Sequence, residues 1–194
     1  AVEKILNITV LLQGLYNGNG TMHPALDASG IPYWDADIAD KISIELRNGS
    51  NYAEVVLLLE NIDLHTDGTA VVTIPAGYNG DYYITVRHRN SIAVVSALPV
   101  SLIPETVTFD FTSGAMVFGN NLAQMPDGRR ALFGGDVLPD GTIDTGDMTP
   151  VDNDSRNFMG GYLNSDVNSD GTVDTGDMTI VDNNAAYFVT VIHP

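Results

Sequence analysis

Cysteine is absent from this 194-residue chain, which excludes a disulfide framework and thiol chemistry. Positive charge is scarce, because 8 basic residues face 25 acidic ones and give a formal net charge of -17. Such a surface repels nucleic acid and anionic lipid headgroups, and it favours divalent cations or a basic protein face as partners. No apolar run approaches the roughly 18 to 20 residues that span a bilayer, so we expect no membrane span.

The first part of the chain has the composition of β-strands. Valine, isoleucine, threonine and aromatic residues concentrate in seven short segments, which is typical of strands. Turn-forming pairs such as Asn48-Gly49 and Asp67-Gly68 separate many of them. The predicted strands cover residues 5–12, 42–47, 54–60, 69–74, 82–89, 92–97 and 107–111.

Strand number and spacing predict the fold of this part. In the second strand Ile42, Ile44 and Leu46 alternate with polar residues, which indicates one buried and one exposed face. Seven such strands favour an antiparallel β-sandwich of immunoglobulin-like or transthyretin-like type. Residues 16–40 form a long insertion that holds the only tryptophan.

The last third of the chain changes in charge and contains a repeat. After the turn formers Pro126-Asp127-Gly128, residues 131–194 hold eleven aspartates, no glutamate and one basic residue, Arg156. Residues 136–154 align with residues 166–184 at a shift of 30, with 14 of 19 positions identical. We therefore predict two domains, a β-sandwich over residues 1–133 and a calcium-binding domain over residues 134–194.

The second repeat has the spacing of a twelve-residue calcium loop. Calcium takes six to eight oxygens, and such a loop supplies them from positions 1, 3, 5, 7 and 12, with glycine at position 6 for the sharp turn. Gly171 stands at position 6. The predicted ligands are the side chains of Asp166, Asn168, Asp170 and Asp177 and the backbone carbonyl of Thr172.

The first repeat has the same pattern with one gap. Asp136, Asp140, Asp147 and the Thr142 carbonyl take the same positions, but Leu138 offers no side-chain oxygen at position 3. We expect two Ca²⁺ sites, of which the first is the weaker.

Each loop should lead into a helix. Met178, Val181, Ala185 and Phe188 recur at spacings of three and four, and Met148, Val151 and Phe158 repeat that apolar stripe. Asp174 or Thr175 is expected to cap the second helix. Pro150 lacks an N–H, so the first helix is expected to begin at or after Gly146, and Gly160-Gly161 should end it.

The loop and helix, duplicated with aspartate at position 12 and with no helix before each loop, resemble the type I dockerin of bacterial cellulosomes over about residues 134–194. That resemblance implies an EF-hand-like pair of motifs that folds around two calcium ions. It also implies a cohesin-like protein partner, recognised through Thr145-Gly146 and Thr175-Gly176. The helices carry Val151-Asp152-Asn153 and Val181-Asp182-Asn183, where dockerins usually have leucines and basic residues.

A second resemblance covers nearly the whole chain. The chain is similar to a C-terminal module of large secreted Bacteroidetes proteins. In that module a β-sandwich precedes the paired loops and contains the strand sequence YYITVRHRNS, which is residues 82–91 here. This resemblance implies a secreted or cell-surface setting in a bacterial multidomain protein that takes part in polysaccharide degradation. No charged-then-apolar leader precedes Ala1, so any leader would lie outside this sequence.

Catalytic signals are few, and we expect no enzyme. The four histidines have no metal-ligand spacing, and no nucleophile elbow, phosphate loop or HExxH motif is present. His88 is in phase with Ile84 and Val86, which favours a place at the edge of the core.

Two further hypotheses concern the surface. Arg87, Arg89, Arg129 and Arg130 either dock the acidic domain onto the sandwich or are solvated strand residues. Aromatic residues offer either a sugar-stacking platform or core packing; they are Tyr16, Tyr33, Trp34, Tyr78 and Tyr83. The preferred function is a calcium-binding, non-catalytic attachment module, and the alternative is a carbohydrate-binding module whose calcium is purely structural.

Overall fold

The computed structural model describes residues 2–194, which form a mainly β architecture followed by two helices. The helices are α1 (Thr145–Arg156) and α2 (Thr175–Ala185). The longer strands are β1 (Lys4–Thr9), β4 (Ile38–Asn48), β5 (Asn51–His65), β6 (Thr69–Ile74), β7 (Asp81–His88), β8 (Ser91–Val95) and β10 (Thr106–Asp110). The short strands are β2 (Tyr16–Gly18), β3 (Thr21–Met22), β9 (Val100–Ser101), β11 (Ala123–Gln124) and β12 (Arg130–Ala131).

Two sheets make up the sandwich. One has the order β10-β1-β6, and the other has the order β5-β4-β7-β8, with β9 paired to β7. All seven strands predicted from the sequence are present. The expectation of an entirely antiparallel sandwich is wrong, because β1 pairs with β10 in parallel. A parallel pair needs a crossover connection, whereas the short predicted turns indicated only hairpins.

Alternation along the strands builds the core between the sheets. Ile42, Ile44 and Leu46 of β4 are buried as predicted, and β6 alternates exposed and buried residues along its whole length. Because successive strand residues point to opposite faces, this pattern gives each sheet one apolar face. Phe111 is among the largest wholly buried side chains of that core.

A second apolar cluster lies among the residues that follow the sandwich. Ile143, Val151, Val173 and Val181 are its buried centre, and Ile92 of β8 joins it. Since Val94 of the same strand packs in the first core, β8 is covered on both faces. This covering explains why β8 is a continuous apolar run and not an alternating one.

The two helices differ from expectation at α1. This helix begins at Thr145 and includes Pro150, although we predicted a start at or after Gly146. Pro150 has no N–H, so the hydrogen bond that it would donate back along the helix cannot form. Both helices, of 12 and 11 residues, are too short and polar to cross a bilayer, and residues 2–194 contain no other helix that could do so.

Candidate functional site

The two aspartate loops adopt the same local structure. Asp144 and Asp174 each cap the following helix by accepting a hydrogen bond from the N–H two residues later, at 2.6 Å in both repeats. The cap predicted at Asp174 is therefore confirmed. The aspartate at position 12 completes the capping box from inside the helix, because it accepts from the cap residue's own N–H.

The carboxylates at position 12 are held in equivalent places. Asp147 accepts hydrogen bonds from the N–H groups of Leu138 at 3.0 Å and Asp144 at 2.9 Å. Asp177 accepts from Asn168 and Asp174, both at 2.9 Å. Each carboxylate therefore ties the middle of its loop to the helix start.

The aspartates at position 1 lie inside their loops. Asp166 accepts from the N–H groups of Gly171 at 2.9 Å and Asp170 at 3.2 Å. Asp136 makes the same two contacts with Gly141 and Asp140. Gly171 has a φ of 87°, a left-handed value that glycine adopts without steric cost, which confirms the reason given for glycine at position 6.

Burial and like charge perturb these carboxylates. Asp166 and Asp177 are both 0% exposed. Burial, followed by the charge of Asp177, raises the pKa of Asp166 to about 7. Burial also raises the pKa of Asp177. In the first loop, burial and the charge of Asp147 raise the pKa of Asp136 to about 6. Each loop therefore gathers negative charge that its own residues do not neutralise.

Position 3 distinguishes the loops. Asn168 turns its side chain toward its own loop, where its Oδ1 accepts from Asp170 N–H at 3.0 Å and its Nδ2 donates to Asp170 Oδ2 at 2.9 Å. Leu138 is half exposed and contributes no polar atom.

All nine predicted ligands lie in the two loops and the first turn of each helix. Within residues 2–194, no group of three or more His, Cys, Asp or Glu side chains has an arrangement that could hold a metal ion. The carboxylates instead accept hydrogen bonds from the loop amides. The predicted ligand atoms are all oxygens, which Ca²⁺ prefers.

The repeats pair with each other in a reciprocal way. The N–H of Ile143 donates to Val189 O at 2.7 Å, and the N–H of Val173 donates to Met159 O at 3.1 Å. Each residue therefore pairs with the segment that follows the other repeat's helix.

Arg89 joins the second loop to the sandwich. Its guanidinium donates to Ser169 Oγ at 2.5 Å and to the carbonyl oxygen of Leu163, and its Nε donates to Asp40 Oδ2 at 3.1 Å. Its guanidinium also lies over the ring of Tyr162, 4.3 Å from the centroid. The docking hypothesis is therefore confirmed for Arg89.

Two other arginines of that hypothesis, Arg87 and Arg129, act elsewhere. Arg87 pairs with Glu45 of β4 at 2.5 Å and is 47% exposed, and Arg129 lies 3.8 Å from Asp127. The sequence alone could not distinguish the roles of Arg87 and Arg89. The neighbours that each side chain contacts depend on the conformation of the β7–β8 hairpin.

Asp40 is the buried anion at this junction, and the sequence did not point to it. It accepts hydrogen bonds from Tyr162 at 2.5 Å and from Arg89, and His88 Nε2 lies 3.0 Å away. Burial alone would raise its pKa, but His88 and Arg89 hold the pKa well below its ordinary value. The Arg89 guanidinium, the His88 imidazole and the Tyr162 hydroxyl therefore hold Asp40 in place as an anion.

Ser91, His88 and Asp40 form a hydrogen-bonded row of the kind found in hydrolases. Ser91 Oγ lies 2.8 Å from His88 Nδ1. However, the His88 side chain is wholly buried, as its phase in β7 predicted, and Asp40 is shared with Arg89 and Tyr162. The row ties the β7–β8 hairpin to β4, and its histidine has no open face for a reacting group.

Two phenylalanines contradict the predicted apolar stripes. Phe158 is 94% exposed and Phe188 is 75% exposed, although both were expected on the buried helix faces. They lie beyond the ends of α1 and α2, with left-handed φ values of 53° and 48°. This conformation costs a non-glycine residue about 1–2 kcal/mol. The chain turns away from the helix there and carries the rings into solvent.

The five aromatic residues of the sugar hypothesis do not form one platform. Tyr33 stacks on Tyr162 at 4.4 Å, and Trp34 meets Tyr33 edge-on. Tyr16 bonds to Asp127, Tyr78 bonds to Val56 O, and Tyr83 contacts Tyr52. Tyr33 and Trp34 therefore pack at the junction with the C-terminal part.

Comparisons with known proteins give structural neighbours only. No family model and no curated protein matches the chain. Two similar solved structures are interface mutants, one C-terminal and one N-terminal, of the type II cohesin–X–dockerin complex from Acetivibrio cellulolyticus. The first is 13% identical with a TM-score of 0.53. The second is 12% identical with a TM-score of 0.50. In both, 93% of this chain is aligned with 94% of the other.

These neighbours correct the family assignment. The resemblance to a type I dockerin within a Bacteroidetes module is wrong, because the matching structures are type II cohesin–X–dockerin complexes from another organism. The described architecture is mainly β and fits a β-sandwich, and it gives no support to a dockerin-like, EF-hand-like pair. The assignment rested on two twelve-residue loops and one strand sequence, and such local patterns do not specify how the sheets of the remaining chain are arranged.

Loss of Arg89 should destabilise the protein far more than loss of Arg87. Arg89→Ala leaves Asp40 buried with one cation fewer, which we expect to lower the free energy of unfolding by roughly 3–5 kcal/mol. Arg87→Ala is the matched control and should cost about 1 kcal/mol or less, because Arg87 is half exposed. Urea unfolding of both variants measures the difference. Equal losses would contradict the role given to Arg89.

Stability without metal should fall as the pH rises from 5 to 8. Asp136 and Asp166 have folded-state pKa values above their ordinary value, so the native state holds more protons than the unfolded chain in this range. Thermal unfolding in EDTA at several pH values measures the slope. The double variant Asp136→Asn/Asp166→Asn should remove most of it, whereas a stability that rises with pH would refute this reasoning.

Proposed function

We propose that this chain is a non-catalytic, extracellular attachment module that binds another protein through its C-terminal part and is stabilised there by Ca²⁺. The carrying observation is the duplicated loop, in which burial and a neighbouring carboxylate raise the pKa values of the equivalent residues Asp166 and Asp136. The similar solved structures are both assemblies of proteins, which agrees with an attachment role.

Calcium would be held by the oxygens already assigned. In the second loop these belong to Asp166, Asn168, Asp170, Thr172 and Asp177, and in the first loop to Asp136, Asp140, Thr142 and Asp147. The cation would supply positive charge where burial and mutual repulsion now raise the carboxylate pKa values. Asn168 would add a ligand that Leu138 cannot, so the second site would be the tighter.

The attachment surface would include Phe158 and Phe188. Two aromatic rings at repeat-related positions stay in solvent, and each is held in a costly left-handed conformation. Strained residues that serve no internal contact are commonly kept for binding, and exposed aromatic side chains are frequent binding anchors. The surrounding aspartates favour a partner whose apolar pockets have basic rims.

Calcium binding can be measured directly by calorimetry. We expect two sites of unequal affinity, and Asp177→Asn should weaken the tighter site at least about tenfold, since it removes one charged ligand. Asp182→Asn is the control, because Asp182 is exposed on the same helix and lies outside both predicted ligand sets. The absence of any heat of binding, together with an unchanged melting temperature in millimolar calcium, would contradict the calcium proposal.

Replacing both phenylalanines should separate binding from stability. Phe158→Gly/Phe188→Gly relieves the left-handed strain, so the free energy of unfolding should stay equal or rise by up to about 1 kcal/mol. Capture of a secreted protein in calcium, with identification by mass spectrometry, should be lost. Leu98→Ser, which alters another exposed apolar residue, should retain capture. Retention on polysaccharide columns with no protein captured would instead favour carbohydrate binding.

A further inference from the structure

The long strand β5 lies at an open edge of the sandwich. It has 15 residues and is hydrogen-bonded to β4 on one side only, and no other strand of residues 2–194 pairs with its outer edge. An unpaired edge presents a row of N–H and C=O groups that can template another strand.

The middle of this edge has no lysine or proline to protect it, although the Tyr78 hydroxyl donates a hydrogen bond to Val56 O at 3.2 Å. Residues 55–59 are the uncharged run VVLLL, and β5 contains no lysine, arginine or proline. Leu57, Leu58 and Leu59 pair in order with three successive residues of β4, and the register shifts on both sides of them. Val55 and Leu58 are each nearly half exposed. Natural edge strands normally interrupt such a segment with lysine or proline, or keep it short.

A cleft lies beside the edge. It has a volume of about 370 Å³ and lies between β5 and β6. Strand β6 is at the edge of the other sheet. Leu59 and Ile62 line it from β5, and Val71, which is 61% exposed, lines it from β6. Alternate side chains of an added strand would therefore meet apolar residues at the open side of the core.

Charge limits what can occupy this edge. Glu54 and Glu60 flank the apolar run, and no lysine or arginine of residues 2–194 forms an ion pair with either. If two copies paired antiparallel about Leu57, Glu54 of each would face Glu60 of the other, and both chains carry a net charge of -17. Like charges directly opposite destabilise a strand pair, so a second copy is disfavoured.

We propose that the outer edge of β5 binds, by strand addition, an extended peptide segment of another protein in which alternating apolar residues are flanked by lysine or arginine. Main-chain hydrogen bonds supply affinity in this mode, and alternate side-chain pockets together with the flanking charges supply specificity. This surface belongs to the sandwich and uses none of the loop residues. Its success or failure is therefore independent of the proposed calcium sites and of the phenylalanine surface.

The probe is a fluorescent synthetic peptide, KVTVTVK, whose lysines are six positions apart on one face, as Glu54 and Glu60 are. It is titrated with the whole chain at low salt and followed by anisotropy. It should bind, and the acidic counterpart EVTVTVE should bind at least about tenfold more weakly. Glu54→Lys/Glu60→Lys should reverse this preference. Glu3→Lys/Glu105→Lys makes the same change of charge outside β5 and should leave the preference unchanged.

Backbone methylation distinguishes strand addition from charge attraction alone. Two further peptides carry N-methyl groups on alternate residues, one set on the odd positions and one on the even positions. Only one edge of the peptide can face β5, so one methylated peptide should lose binding and the other should retain it. Equal binding by both, or no binding of KVTVTVK at all, would overturn the proposal.

Discussion

The contact of Arg89 with Asp40 fixes how the two apolar clusters are joined. Asp40 is wholly buried in β4, and Arg89 lies in the hairpin turn between β7 and β8. From there the guanidinium reaches Leu163 and Ser169 beside the second aspartate loop. A buried carboxylate must be paired and hydrogen-bonded to stay charged, so this position permits few alternatives. The second loop is therefore held against the sandwich before any ion is considered.

Close backbone packing reinforces this junction. A methyl group on Gly14 would lie 2.0 Å from Val167 O, and one on Gly171 would lie 2.2 Å from Asp27 O. No side chain fits at either place, so β-sandwich residues and loop residues meet main chain to main chain. Such a close junction suits the attachment role that we propose for this chain.

Each aspartate loop holds carboxylates in positions that disfavour their ionised form. Capping boxes and loop amides hold the carboxylates of each repeat in fixed positions, while burial and mutual repulsion raise the pKa values of Asp136 and Asp166. Groups arranged against their own electrostatic preference commonly belong to a functional site. The strained, exposed phenylalanines after each helix are a second such feature, and it recurs at the same place in both repeats.

Periodicity in the sequence predicted the seven main strands, the repeat, the two helices and the cap at Asp174, because these depend on residues that are close in the chain. The parallel pairing of β1 with β10 could not be predicted, since it joins segments about 100 residues apart. The apolar stripes placed Phe158 and Phe188 in the core, because spacing alone does not show where a helix ends. The family assignment failed because two short loops and one strand sequence were used to judge the arrangement of the whole chain.

The amino-acid sequence by itself determined the local elements and the acidity of the last third. Only the tertiary structure decided that Arg89 and not Arg87 faces the loops, that Asp40 is the buried anion, and that β5 lies at an open edge. Local patterns follow from the backbone preferences and polarity of neighbouring residues. Partners that lie far apart in the chain are chosen by packing, which a single sequence does not display.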